Sequence, residues 1–279
     1  LGEPPRDRSR WLRCDAGDLR QVGAALERSG AEGVVHLAAR SSVAASHAEP
    51  LETYRANVAG TLAVLEAARE ARFEGPLLLV GSGEVYGRCG SGPSREDAPL
   101  APLSAYAGTK AAQEMIGGQY ARTYGLRVVL TRSFAHTGPR QDGRFVFPSL
   151  ARQLARIERT GGDGVLRVGN LQPVRDYLDV RDVVRAYALL LERGTAGAVL
   201  NVCSGRGFRL SDLVYELVEI AAVRVTIEED PARLRGVDLE RLVGDPARLT
   251  SLGWLPGITH HQMLSDLYRY WRERTWQES

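Results

Sequence analysis

Four consecutive aliphatic residues, Leu77-Leu78-Leu79-Val80, run without a polar break into Gly81-Ser82-Gly83-Glu84-Val85-Tyr86-Gly87. A strand with one face in water alternates apolar and polar side chains, so an unbroken run marks a strand covered on both faces. Val34-Val35-His36-Leu37-Ala38-Ala39 has the same character. Strands of this kind, separated by helical patterns, predict an α/β chain with a doubly wound parallel sheet. The 279 residues suffice for one large domain or for one domain and a smaller lobe.

The run at Leu77 leads through a Gly/Pro-rich loop to Ser104-Ala105-Tyr106-Ala107-Gly108-Thr109-Lys110. Lysine and arginine together number 36, and Lys110 is the one lysine. A compact ammonium with three rotatable donors is not replaceable by a planar, permanently charged guanidinium. Tyr106 lies four residues earlier, on the same helix face. An ammonium near a phenol is expected to lower its pKa and fit it for proton exchange with an alcohol or carbonyl. Ser82, at the strand end, supplies a hydroxyl to orient a substrate oxygen. Tyr-x-x-x-Lys is weak alone and gains its weight from the Gly-Ser-x-x-x-Tyr-Gly element upstream.

Charge and composition close off other classes. A net charge of +2, with arginines alternating with acids, gives no reason to expect nucleic acid. No apolar run approaches the ~20 residues that span a bilayer. Cys14, Cys89 and Cys203 are far apart and lack metal-ligand spacing, as expected for reduced cytosolic thiols. His260 and His261 have no acid or cysteine at ligand spacing, so no metal is expected. A cytoplasmic protein without a membrane partner fits these features.

Helices are expected from about Leu19 to Ser29, Pro50 to Arg72, Ser104 to Tyr124, Phe145 to Arg159 and His260 to Trp276. Strands are expected at Trp11–Cys14, Leu126–Thr131, Val165–Val168, Val199–Val202 and Val223–Ile227, besides the two runs above. Asp15 or Asp18 is in place to cap the first helix. His36, inside an apolar run, reads as a packed histidine.

The motifs together resemble the extended short-chain dehydrogenase/reductase family, the NAD-dependent epimerases and dehydratases of nucleotide sugars. That resemblance implies a Rossmann-like domain over residues 1–145 and a mainly substrate-binding lobe over 146–279, with segments around 165–202 returning to the sheet. It implies Ser82, Tyr106, Lys110 and Glu84 as catalytic residues. Asp15, Ala16, Leu37, Ala38, Ala39, Tyr106, Lys110 and His136 would meet the cofactor, NADP with NAD possible. Ser42, Ser82, Gly83, Arg175, Arg235 and Asp238 would meet a nucleotide-sugar substrate, the two arginines at its diphosphate. Asn57 matches a structural asparagine. Ala135 departs from the family pattern, which has asparagine there, and His136 is the neighbouring polar group. Relatives commonly dimerise through the helices at about 50–72 and 104–124, so a homodimer or homotetramer is implied.

Gly-Ser-Gly-Glu-Val-Tyr-Gly, Phe-Val-Phe-Pro-Ser-Leu-Ala-Arg-Gln and Val-Gly-Asn-Leu-Gln-Pro-Val-Arg-Asp-Tyr are most similar to the branch containing GDP-6-deoxy-mannose reductases and GDP-mannose 4,6-dehydratases. The reaction this implies is NADPH-dependent reduction at C4 of a GDP-4-keto-6-deoxy sugar, giving GDP-D-rhamnose. Glu84 keeps a 4,6-dehydratase open, and a 4-epimerase less so. A non-catalytic, partner-binding relative is the remaining alternative. The family's opening strand-Gly-x-x-Gly-x-x-Gly-helix unit, about 35–40 residues, has no counterpart before Cys14. The expectation is an N-terminally trimmed chain that, if it truly begins at Leu1, binds cofactor poorly. The same unit holds most of what separates NADP from NAD.

Overall fold

The computed structural model describes residues 11–88, 90–234 and 238–277. The described residues divide into two units. The first draws on the described residues of 11–85, 102–131 and 190–199, and the second on those of 86–101, 132–189 and 200–277.

In the first unit the order is helix α1 (Leu19–Ser29), strand β1 (Val34–His36), α2 (Val43–Ala48), α3 (Pro50–Glu70), β2 (Leu77–Ser82), α4 (Ala105–Tyr124) and β3 (Val128–Ser133). With β8 (Val199–Val202), the strands form a sheet in the order β1-β2-β3-β8. β1 and β2 are parallel, with Val34 opposite Leu77 and His36 opposite Leu79. Leu77, Leu78 and Leu79 are fully buried, as an unbroken aliphatic strand requires.

Local chemistry fixes the helix ends. Asp18, not Asp15, caps α1: its Oδ1 accepts from the amides of Arg20 and Gln21. Ser104 caps α4 through Ala107 N, and Gly125 closes it in the left-handed conformation with φ 71°. Gly117 lets α4 lie directly on the sheet. A β-carbon there would come within 2.6 Å of Leu79 and 2.9 Å of Leu130.

Two strand expectations change. Trp11–Cys14 is not a strand, because no described strand supplies a ladder of hydrogen bonds to it. β1 stops at His36 instead of Ala39, and Leu37 turns out to solvent at 63% exposure. In this unit the sequence reading also missed the six-residue helix α2, capped by Ser42, whose Oγ accepts from Ala45 N.

The second unit is helical around three small sheets. β4 (Ala135–Thr137) pairs with β7 (Tyr177–Asp179). β5 (Gly164–Val168) pairs with β10 (Val225–Glu229). β6 (Val174–Arg175) lies between β11 (Arg241–Leu242) and β9 (Phe208–Arg209). Helices α5 (Val146–Thr160), α7 (Leu210–Ala221) and α9 (His260–Gln277) enclose its core. On α5 the buried Phe147, Leu150, Ala151, Leu154 and Ala155 form the apolar stripe that a 3.6-residue period demands. α6 (Val180–Arg193) and α8 (Ala247–Ser251) complete the fold. Among the described residues, no helix is long and apolar enough to cross a membrane.

Candidate active site

The carboxyl ends of parallel strands are where α/β sheets take ligands. At the end of β2, Ser82 is buried and followed by the 3-10 turn Gly83–Tyr86. Ser82 Oγ accepts from Glu84 N at 3.2 Å and hydrogen-bonds the Tyr106 side chain. The strand end and the first turn of α4 therefore bring Ser82, Glu84 and Tyr106 together. Leu37, Ala38 and Ala39 follow the end of β1. Leu37 and Ala38 are exposed and Ala39 half-buried. Small side chains leave the backbone there open to a ligand.

Lys110 is 4% exposed. Its Nζ donates to the Val80 carbonyl at 2.7 Å and to Gln113 Oε1 at 3.0 Å. The pairing expected from sequence, ammonium lowering the phenol's pKa, is reversed in direction. Burial pushes Tyr106 up to about 12, against the Ser82 hydrogen bond, and the nearby Glu84 charge adds to the rise. Burial pushes Lys110 down to about 8. Both shifts have one cause: a low-dielectric surrounding disfavours whichever form is charged. The phenol is thus protonated at neutral pH, and among the described residues the ammonium has no carboxylate partner.

His36 is buried, and its Nε2 has no hydrogen-bond partner among the described residues. Burial, with the Lys110 charge, lowers its pKa to about 4, so it is neutral. Asp15 folds back on its own turn, accepting from Gly17 N, and Asp15 N donates to Gln21 Oε1. Asn57 ties the loop after β1 to α4: its Oδ1 accepts from Arg40 N and its Nδ2 donates to Thr109 Oγ1. Ser42 is occupied as a helix cap.

In the second unit, Arg175 is buried beside Asp238, with Nη2 to Oδ1 at 2.7 Å and Nη1 to the Val174 carbonyl at 3.0 Å. A cavity of about 400 Å³ is lined by Gln172, Arg209, Asp238, Leu239 and Arg241, among others. Of these only Asp238 was anticipated, and Arg235 lies outside the described residues. Asp176, wholly buried, accepts from Ser204 N, Ser204 Oγ and Gly205 N, and so anchors the turn after β8. His136 Nδ1 faces the Phe134 carbonyl at 3.0 Å. A carbonyl only accepts, so Nδ1 carries the proton. Burial lowers the ring's pKa, which leaves Nε2 as an acceptor.

Sequence reading passed over Gln113 and Thr61. Both are buried polar residues on facing helices, and Gln113 stands three residues after Lys110. That i, i+3 spacing was the available signal.

Comparison with known proteins gives a consistent picture. The family model for GDP-mannose 4,6 dehydratase matches residues 2–267. GDP-6-deoxy-D-mannose reductase of Pseudomonas aeruginosa is 39% identical over 250 residues, covering 88% of this chain and 82% of the relative. GDP-mannose 4,6-dehydratase of Yersinia enterocolitica is 27% identical over 266 residues, covering 84% and 71%. Among solved structures, RMD from Pseudomonas aeruginosa complexed with NADPH superposes with a TM-score of 0.88 at 36% identity, over 94% of this chain and 88% of that one. The UDP-glucose 4-epimerase of Thermotoga maritima with UDP-glucose gives 0.85 at 29% identity, over 93% and 83%.

Proposed function

The chain belongs to the GDP-mannose 4,6-dehydratase family, within the extended short-chain dehydrogenases/reductases that act on nucleotide sugars with NAD(P), and from that premise we propose that it is a nucleotide-sugar 4-reductase. Its substrate would be a GDP-4-keto-6-deoxy-mannose and its product GDP-D-rhamnose, with NADPH as reductant and NADH as the possible substitute.

The observation that carries this reading is the neutral Tyr106 phenol, hydrogen-bonded to Ser82 one helical turn from a buried ammonium. Reduction of a ketone adds hydride to carbon and a proton to oxygen. A bound nicotinamide dinucleotide would supply the hydride. Ser82 Oγ orients the carbonyl oxygen, and Tyr106 gives its proton to that oxygen as charge builds on it. A phenol whose pKa stands near 12 holds its proton at neutral pH and still passes it readily to an alkoxide, a far stronger base. Lys110, held by the Val80 carbonyl and Gln113, would offer its remaining N–H and its charge to the cofactor ribose. Exposed Ala38 and half-buried Ala39 fit a dinucleotide passing the end of β1, and His136 Nε2 is an acceptor for an amide N–H. Asp15, Ala16 and Leu37 are assigned to the cofactor on the same reading. Arg175 and Asp238, with the adjoining cavity, would take the nucleotide diphosphate and ribose, and Ser42 and Gly83 the sugar.

Glu84 supports a second reading. Its charge acts on Tyr106, so a carboxylate stands close to the proposed acid, as removal of a sugar proton in a 4,6-dehydratase would need. The test is direct. Consumption of NADPH with GDP-4-keto-6-deoxymannose supports the reductase. A 4-keto product from GDP-mannose, with no net NADPH use, replaces it by the dehydratase. Neither activity leaves a binding subunit.

We further assign self-association to α3 and α4, whose outer faces carry exposed Leu51, Tyr54, Leu62 and Met115. Replacing Met115 by glutamate should shift a dimer to monomer in sedimentation. An unchanged mass would refute the assignment.

A further inference from the structure

An ammonium has three N–H donors, and Lys110 commits two of them inside the protein. One goes to the Val80 carbonyl, which the sheet fixes. The other goes to a side chain, Gln113 Oε1, which is 2% exposed and lies one turn along α4. Burying a side-chain amide is costly unless its polar atoms are matched, so an apolar residue would fill this space at less cost. The oxygen faces the ammonium by chemical necessity, since both groups would otherwise donate.

The contacts continue into α3. Thr61 Oγ1 gives its proton to the Asn57 carbonyl at 2.9 Å and lies 3.5 Å from Gln113 Oε1. Asn57 Nδ2 donates to Thr109 Oγ1, which donates to the Tyr106 carbonyl at 2.7 Å. Lys110 and Tyr106 are thereby tied to the same helix pair through buried polar atoms.

We propose that Gln113 is a positioning residue for the dinucleotide site: it holds the Lys110 side chain against β2 and leaves one N–H of the ammonium to meet the cofactor. This rests on the reading of Lys110 as the cofactor-facing cation. Gln113 also favours the charged form of Lys110, because hydrogen bonds to an ion oppose the effect of burial. The groups placed against the ammonium are the Val80 carbonyl from β2 and Gln113 Oε1 from its own helix, with neutral His36 from β1 near enough to feel its charge and Thr61 from α3 behind Gln113.

The test uses the full chain and two variants, with NADPH affinity followed from about pH 6.5 to 9.5, across the range in which Lys110 titrates. Gln113→Met keeps the shape and removes the acceptor. It should weaken NADPH binding roughly tenfold at neutral pH and move the alkaline loss of binding to lower pH. Gln113→Glu keeps the acceptor and adds a charge. It should bind within about threefold of wild type and move the alkaline loss to higher pH. Opposite displacements are not expected from packing alone. The inference is overturned if both variants keep the wild-type pH dependence, or if the methionine variant loses only thermal stability. Should the methionine variant fail to fold, the glutamate variant decides: no upward displacement overturns it. A wild type that binds no NADPH overturns the reductase reading itself, and this inference with it.

Discussion

Two of the buried cations, Lys110 in the first unit and Arg175 in the second, meet the cost of burial in opposite ways. Arg175 is paired with a carboxylate, Asp238, at 2.7 Å. Lys110 donates to two neutral oxygens, Val80 O and Gln113 Oε1, and has its pKa pushed down to about 8. A guanidinium stays charged at any working pH, so its burial requires a counter-ion. An ammonium can give up its proton, and burial makes its charge conditional. Permanent charge suits the grip on a diphosphate. Conditional charge suits a place where hydroxyls and protons are handled. That the chain uses arginine everywhere else and lysine here agrees with this division.

The comparison breaks most easily at the catalytic end. Tyr106→Phe should lower kcat by roughly 10²–10⁴-fold with little change in nucleotide-sugar KM. Lys110→Arg should fall in the same range, because the larger, permanently charged fork has neither space nor counter-ion there. Steady-state kinetics reads both, and an active Lys110→Arg enzyme would erase the distinction between the two cations. At the other end, Asp238→Asn should destabilise the protein by about 2–3 kcal/mol in denaturant unfolding, since it strands a buried guanidinium. Arg175→Lys should be milder, raising nucleotide-sugar KM about tenfold at unchanged kcat.

pH gives the smallest effects and a sign that can be checked. Between about pH 8 and 10.5 the unfolded chain binds a proton at Lys110 that the folded chain lacks, so this group makes stability rise with pH there. Tyr106 acts the other way between about pH 10 and 12, where the folded chain keeps a proton the unfolded chain has lost. His36, lowered to about 4, withdraws stability as pH falls through 6.5 toward 4. Chemical denaturation across these windows tests each sign, and replacing His36 by glutamine should flatten the acid limb.

Much of this arrangement was legible in the chain. Leu77–Val80 had to be a covered strand, and Ser82 had to stand at its end. Tyr106 and Lys110, four residues apart, announced a helix with two polar groups on one face, while its Ser104 cap was seen only in the structure. What could not be read was the environment. Sequence spacing places Tyr106 near Lys110, but only packing decides that desolvation outweighs their mutual influence and that the ammonium turns to Val80 and Gln113. Asn57 was visible as a structural residue, yet its link to Thr109 joins positions 52 apart. Trp11–Cys14 looked like a strand because its composition fits one, and composition does not supply a neighbour. Ser42 was assigned to a ligand through its loop, where its hydroxyl also caps α2.

The conditional charge at Lys110 can be observed without interference, because the sequence contains a single lysine. Protein labelled with ¹³C at lysine Cε should give one resonance, and its chemical shift can be followed from pH 6 to 12. The structure predicts a midpoint near 8. A midpoint at the ordinary value of about 10.4 would mean that the ammonium is solvated, and would contradict the account.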